Sequence, residues 1–191
     1  MQEAVSPDLG GMAAIIGLDI HEVMDACNNA REEGKVWPAN YNCPGQVVVT
    51  GEKKGLRKAI ELAKDKGAKL SIMLPVSIPS HCPLMEPAAM RLKAIQEKIE
   101  VKDLEVPVVS NCWAIPIQEK ELIKKNMVEQ MTSPVQWEAC IRFMIQEGVA
   151  TFIEVGPGKV LTGLIKRIDR QAKIFNISDS ASLEKFKEVW Q

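Results

Sequence analysis

Residues 11–77 carry the pattern that most restricts the fold of this chain, because strand and helix signals follow one another in the order β-α-β-β-α-β. An apolar run at 12–17 (MAAIIG) reads as a strand. Asp19 caps the helix behind it, and Glu22, three residues on, completes a capping box. Gly34 is expected to close that helix. Residues 36–41 read as a second strand, Asn42-Cys43-Pro44-Gly45 as a turn, and 46–50 (QVVVT) as a β-branched third strand. Leu56, Ala59, Ile60 and Ala63 recur at helical spacing before Gly67, and 68–74 supplies a fourth strand. This order is the split-βαβ, ferredoxin-like pattern, in which an antiparallel four-stranded sheet buries one face under two helices.

From residue 78 onward the pattern changes. Met85, Ala88, Leu92, Ile95 and Ile99 mark one apolar helix face, and 106–110 reads as a short buried strand. A helix is expected at 119–130. Ser133-Pro134, with Gln136 three residues after the serine, predicts another helix capped by Ser133 and running to Gly148. Residues 151–155 (TFIEV) and 174–177 read as strands on either side of a helix whose face is Val160, Leu161, Leu164, Ile165 and Ile168, and Ser182 is the expected cap of a last helix. Strands alternating with helices point to a parallel α/β sheet. Three strands are too few to cover both faces and both edges of such a sheet, so this region reads as part of a larger one and is expected to expose apolar surface.

The chain has 24 basic and 25 acidic residues, one Tyr and four Phe. Without a basic stripe or stacking aromatics, nucleic-acid binding is not indicated. No apolar run is long enough to span a bilayer, and residues 1–12 have neither the positive start nor the apolar stretch of a signal peptide, so a cytoplasmic protein is expected. The five cysteines are widely spaced with no CxxC pair, which gives no zinc or redox motif; no metal site is expected.

Two histidines are present. His21 lies early in the first helix and reads as a solvated residue. His81 lies in PVSIPSHCP (75–83), where three prolines stiffen the backbone at the seam between the two regions; it reads either as a catalytic base or as a structural loop histidine. A base needs a nucleophile, yet no GxSxG elbow occurs in the sequence. Cys82 adjoins His81, but neighbours in sequence rarely reach the geometry of a nucleophile–base pair. Gly156-Pro157-Gly158-Lys159 is too short for a phosphate loop and reads as a tight strand-to-helix turn. Lys159, Lys166, Arg167 and Arg170 form either an ordinary solvated face or a surface for an acidic partner.

Several stretches taken in order carry a resemblance: MQEAV (1–5), GMAAIIG (11–17), NYNCPGQVV (40–48), LPVSIPSHCPLM (74–85), SPVQW (133–137) and EVGPGKVLTGL (154–164). Together they resemble the malonyl-CoA:acyl carrier protein transacylases of type II fatty-acid synthesis, over essentially the whole chain. The resemblance implies an α/β-hydrolase-like large subdomain (here 78–191 with 1–10, its C-terminal part) and a ferredoxin-like insert (11–77). It implies ping-pong transfer of malonyl from malonyl-CoA, through an acyl-serine, to the phosphopantetheine thiol of acyl carrier protein. Coenzyme A thioester is then the substrate and no cofactor is needed. His81 matches the family's histidine base, Gln130 the residue whose backbone carbonyl orients it, and Asn40, Asn42 and Ser80 match residues near the acyl pocket; for the asparagines, turn chemistry before Pro44-Gly45 is the other reading. The GHSxG serine, the oxyanion-hole donors and the carboxylate-binding arginine of the family all precede the segment matching Met1. The chain is therefore expected to be a fragment, a truncated gene model or one half of a split protein, completed by an N-terminal segment or a companion chain and inactive alone. The alternatives are the acyltransferase domain of a polyketide synthase and a non-catalytic carrier-protein-binding fragment.

Overall fold

A computed structural model describes residues 5–6 and 9–190; most of the MQEAV stretch lies outside the described residues. The chain divides into two compact units, 1–140 and 141–191.

The first unit opens with β1 (Gly10–Ile16), α1 (Ile20–Ala30), β2 (Val36–Cys43), β3 (Gln46–Glu52), α2 (Lys53–Asp65) and β4 (Leu70–Met73). Their sheet has the order β2-β3-β1-β4 with every neighbour antiparallel, as the βαββαβ pattern predicts. Alternation puts Ala13, Ile15, Val47 and Val49 on one face, where Val23, Cys27, Leu56 and Ala59 of the two helices cover them completely or nearly so. Each large aliphatic group buried here contributes roughly 1.5–3 kcal/mol. The Asp19–Glu22 capping box forms as expected, with both reciprocal bonds present.

α1 stops at Ala30 and not at Gly34. The amides of Arg31 and Glu33 turn back to the carbonyls of Asn28 and Ala30, and the Arg31 side chain donates to the Val36 carbonyl at 3.2 Å. Gly34 serves a different need: a Cβ there would lie 2.8 Å from the Gly55 nitrogen, so its missing side chain lets α2 approach.

A 3-10 turn (Pro83–Met85) leads into α3 (Glu86–Gln96). Met85 and Ala88 are buried as predicted, but the helix ends before Ile99, and Ile95 and Ile99 are about half exposed. The expected buried strand at 106–110 is instead β5 (Val108–Val109), paired antiparallel with β6 (Pro116–Ile117) in a small hairpin. Its reversal is closed by the Ser110 amide on the Ile115 carbonyl, and Val106 and Val108 face solvent. α4 (Lys120–Glu129) follows, then α5 (Trp137–Gln146), which crosses the unit boundary. Ser133 is not the N-cap of α5. Pro134 is followed by an extended Val135, whose amide donates to the Ala39 carbonyl and whose carbonyl accepts from the Tyr41 amide, at 2.7 and 2.8 Å. Helical bonding starts only with the Gln136 carbonyl, which accepts from Cys140.

In the second unit β7 (Thr151–Val155) pairs parallel with β8 (Lys173–Ile177), joined through α6 (Val160–Ile168), and α7 (Ser180–Val189) follows. Two strands, where three were expected, make this sheet, since residues 106–110 belong to the hairpin. Val155 and Val160 are 76% and 72% exposed, the apolar exposure expected of a narrow parallel sheet. Asp179, not Ser182, caps α7; Ser182 occupies the third helical position and bonds back to the Asp179 amide. No helix among the described residues is long and apolar enough to cross a membrane.

Candidate active site

The loop carrying His81 is pinned at several points. Pro79 is fully buried and lies so close to β1 that a Cβ on Gly10 would be 2.5 Å from its Cδ. The Cys82 thiol donates to the Pro79 carbonyl at 3.1 Å, closing a turn around Ser80 and His81. The Cys82 carbonyl then accepts from the Met85 amide at 2.9 Å. Within this turn His81 has φ +62°, a left-handed conformation that costs a non-glycine residue about 1–2 kcal/mol and persists only where its surroundings impose it.

Opposite the ring is the end of α4. The last carbonyls of a helix lack intrahelical partners. Here the carbonyls of Val128 and Glu129 accept from the amides of Met131 and Thr132, while that of Gln130 accepts a hydrogen bond from His81 Nδ1 at 2.9 Å. A carbonyl only accepts, so Nδ1 carries the proton and the Nε2 lone pair of the neutral ring is left to take another. That is the state of a general base. The Gln130 side chain has no part in this contact.

The segment leaving Gln130 reaches the sheet five residues later, where Val135 bonds on either side of Asn40. Asn40 pairs with Val48, whereas Tyr41 and its partner Val47 belong to the core under the helices. Asn40 thus points to the sheet face without helices. Asn42 lies at an irregularity in the β2–β3 register. Asn40, Asn42 and Ser80 are half-buried. The structure brings His81 and Gln130 into direct contact and joins Asn40 to them through Val135; it gives Asn42 and Ser80 no side-chain hydrogen bond to either.

The acyl transferase domain family matches residues 1–187 of the chain. This chain belongs to that family. The malonyl CoA-acyl carrier protein transacylase of Bacillus subtilis (strain 168) is 48% identical over 185 residues, which are 96% of this chain and 58% of the relative. An acyl carrier protein S-malonyltransferase of Vibrio cholerae O1 biovar eltor, solved as a crystal structure, superposes with a TM-score of 0.94 at 42% identity, covering 97% of this chain and 60% of that one. A malonyl-transacylase solved in complex with its type II PKS acyl-carrier protein gives 0.95 at 42% identity, with 98% and 60% covered. The chain thus spans about three fifths of the length of these relatives. Its mixed α/β architecture is that of the solved transacylases.

Other groups in this acyltransferase chain fall outside the His81 contact. Burial pushes the Cys82 thiol above its ordinary value, and it donates to the Pro79 carbonyl, the setting of a structural cysteine. Ser110 is buried and engaged by Asn126 and Trp113. In the second unit, the Gly156-Pro157-Gly158 turn is held by Asn176, whose Nδ2 donates to the Gly158 carbonyl at 2.8 Å. The Glu154 carboxylate accepts from the amides of Leu161 and Thr162 at 3.1 and 2.8 Å. The first turn of α6 is therefore already capped by an anion, which leaves the turn reading of GPGK standing over a phosphate loop. Lys159 precedes α6, and Lys166 and Arg167 lie exposed in its last turn, where cations complement the helix dipole. Sequence reasoning missed the side chains that hold α4. Asn126, between Lys125 and Met127, carries no signal that distinguishes it from a solvated helix residue.

Proposed function

We propose that this chain is the base-bearing part of a malonyl-CoA:acyl carrier protein transacylase. The observation that carries the proposal is the His81 Nδ1–Gln130 carbonyl bond, which leaves Nε2 to take and return a proton. In the proposed cycle, Nε2 accepts the proton of a serine hydroxyl as that oxygen attacks the malonyl thioester carbonyl, and gives it to the departing coenzyme A thiolate. The second half reverses the transfer: His81 takes the phosphopantetheine thiol proton of acyl carrier protein, the thiolate attacks the malonyl-serine, and the serine oxygen recovers the proton. Asn40, Asn42 and Ser80 line the acyl pocket, and Lys159, Lys166 and Arg167 face the acidic carrier protein. Residues 11–77 form the small subdomain; 78–191, with 1–10, belong to the large one. The nucleophile, the oxyanion-hole donors and the carboxylate-binding arginine come from outside these 191 residues, and the chain by itself does not transfer malonyl. The sequence supports this reading through its lack of any GxSxG elbow, and the relatives through their names.

The test fuses the part of the Bacillus subtilis transacylase that precedes its matching segment to this chain, and measures radiolabelled malonyl transfer to holo-acyl carrier protein. The fusion is expected to transfer and the chain alone not to. His81→Ala in the fusion should lower the rate by between about a hundred- and ten-thousandfold, the usual contribution of a positioned acid–base group. Transfer by the His81→Ala fusion within about twofold of its parent would remove the proposal.

A further inference from the structure

α4 delivers the Gln130 carbonyl to His81, yet its own anchorage is unusual. Its buried side chain is polar: Asn126 is 7% exposed, while the apolar Leu122 and Met127 are 37% and 38% exposed. A cavity of about 280 Å³ borders Asn126, Met127 and Gln130, so packing against the last turn is incomplete on that side, and hydrogen bonds reach across it. Asn126 Nδ2 donates to Ser110 Oγ and, at 3.0 Å, to Cys112 Sγ. Ser110 is fixed in turn: its amide donates to the Ile115 carbonyl, its carbonyl accepts from the Ala114 amide and the Cys140 thiol, and its Oγ accepts from the Trp113 amide at 3.0 Å. The same turn reaches α4 a second time, through Trp113 Nε1 to Glu129 at 2.9 Å. The Asn126 main-chain carbonyl accepts the Gln130 amide at 2.9 Å, so one residue ties the turn at 110–114 to the peptide that holds the ring.

We propose that Asn126 is a positioning residue of this site, acting through Ser110 to aim the Gln130 carbonyl at His81. The proposal rests on the reading of His81 as the base. Asn126 touches no reacting atom. Its effect is on the tautomer and orientation of the imidazole, and thereby on kcat and not on KM. Beside this cavity, removing the amide lets the last turn of α4 shift, and a bond of 2.9 Å tolerates only a few tenths of an ångström before it weakens.

The experiment is side-chain ¹H–¹⁵N correlation spectroscopy of the histidines in the full chain, wild type against Asn126→Ala and the milder Ser110→Ala, which removes the hydroxyl acceptor and keeps the asparagine and its contact with Cys112. The chain has two histidines, and His21, exposed on α1, is the internal reference. Wild type should show His81 protonated at Nδ1. Both variants should move His81 toward the tautomer mixture of free imidazole while His21 is unchanged, and in the fused enzyme kcat should fall roughly ten- to a hundredfold at unchanged KM. Folded variants that keep the wild-type His81 signature would overturn the positioning role alone. Loss of amide dispersion in both variants would also overturn it, since Asn126 would then serve the fold and not the site. A wild-type His81 without a proton on Nδ1 would sink the base reading itself.

Discussion

Replacing Gly10 by alanine should disable the site from 71 residues away in sequence. An added Cβ would stand 2.5 Å from Pro79 Cδ and 2.7 Å from Cγ, against an ordinary contact of 3.4 Å or more, so the two must separate by about 0.9 Å. Pro79 is fully buried and its ring is rigid, so the displacement passes into the loop. His81 is two residues on, and the Cys82 thiol is bonded to the Pro79 carbonyl itself. A shift of that size would stretch the His81–Gln130 bond from 2.9 Å beyond hydrogen-bonding range. The overpacking should cost about 1–3 kcal/mol of stability, and misplacing the base by about 1 Å roughly a hundredfold in rate. Gly11→Ala is the matched control, because its Cβ would meet the Met73 and Leu56 side-chain ends at 3.3 and 3.5 Å and the Val76 carbonyl at 3.6 Å, close to or within ordinary contact. Urea denaturation gives the stability, the histidine spectrum gives the Nδ1 proton, and malonyl transfer by the fusion gives the rate. A Gly10→Ala chain indistinguishable from Gly11→Ala in all three would refute the idea that β1 sets the position of the base.

Two further outcomes are expected. For Glu154, burial pushes the carboxyl up, but the hydrogen bonds from Thr162 and Leu161 outweigh it and hold the group below its ordinary 4.5. A depressed carboxyl contributes stability above its unfolded pKa and loses it as pH falls through the folded one. Glu154→Gln should therefore cost roughly 0.5–1 kcal/mol near neutrality, at the low end for a cap open to solvent, with the gap closing in acid; a gap that persists at about pH 2 would count against the charge. For the thiols, burial raises Cys27 to about 12 and Cys140 to about 11, and raises Cys82 as well. Iodoacetamide at neutral pH should thus modify the half-exposed Cys112 first; mass spectrometry that finds native Cys27 labelled as fast as in urea would contradict this.

Several local signals read correctly because neighbours in sequence decide the outcome. Asp19 and Glu22 are three residues apart, so their capping box needs nothing from the rest of the chain, and the alternation of Ala13 and Ile15 against Val47 and Val49 follows from strand geometry. Some readings failed locally, such as the cap of α7, which is Asp179 three residues before Ser182; others failed because a distant group competed. Ser133-Pro134 is a sound helix start on local grounds, but Val135 bonds to both sides of Asn40 and delays α5 to Trp137. Residues 106–110 have strand composition, but β5 pairs with β6 in a hairpin closed by a turn at 110–115.

The same boundary runs through the candidate site. The sequence alone determined that a histidine would lie in a proline-stiffened loop, that a βαββαβ sheet would precede it, and that no serine elbow accompanies it. Tertiary structure alone decided what that histidine can do. Gln130 is 49 residues away from His81, and its usefulness depends on a backbone carbonyl left over at a helix end, a group every residue possesses and no side-chain pattern marks. Asn126 likewise becomes meaningful only once Ser110 and Cys112 are placed against it. Hydrogen bonds lose strength within a few tenths of an ångström, whereas sequence spacing specifies position only to the nearest turn or strand; that gap is closed by packing.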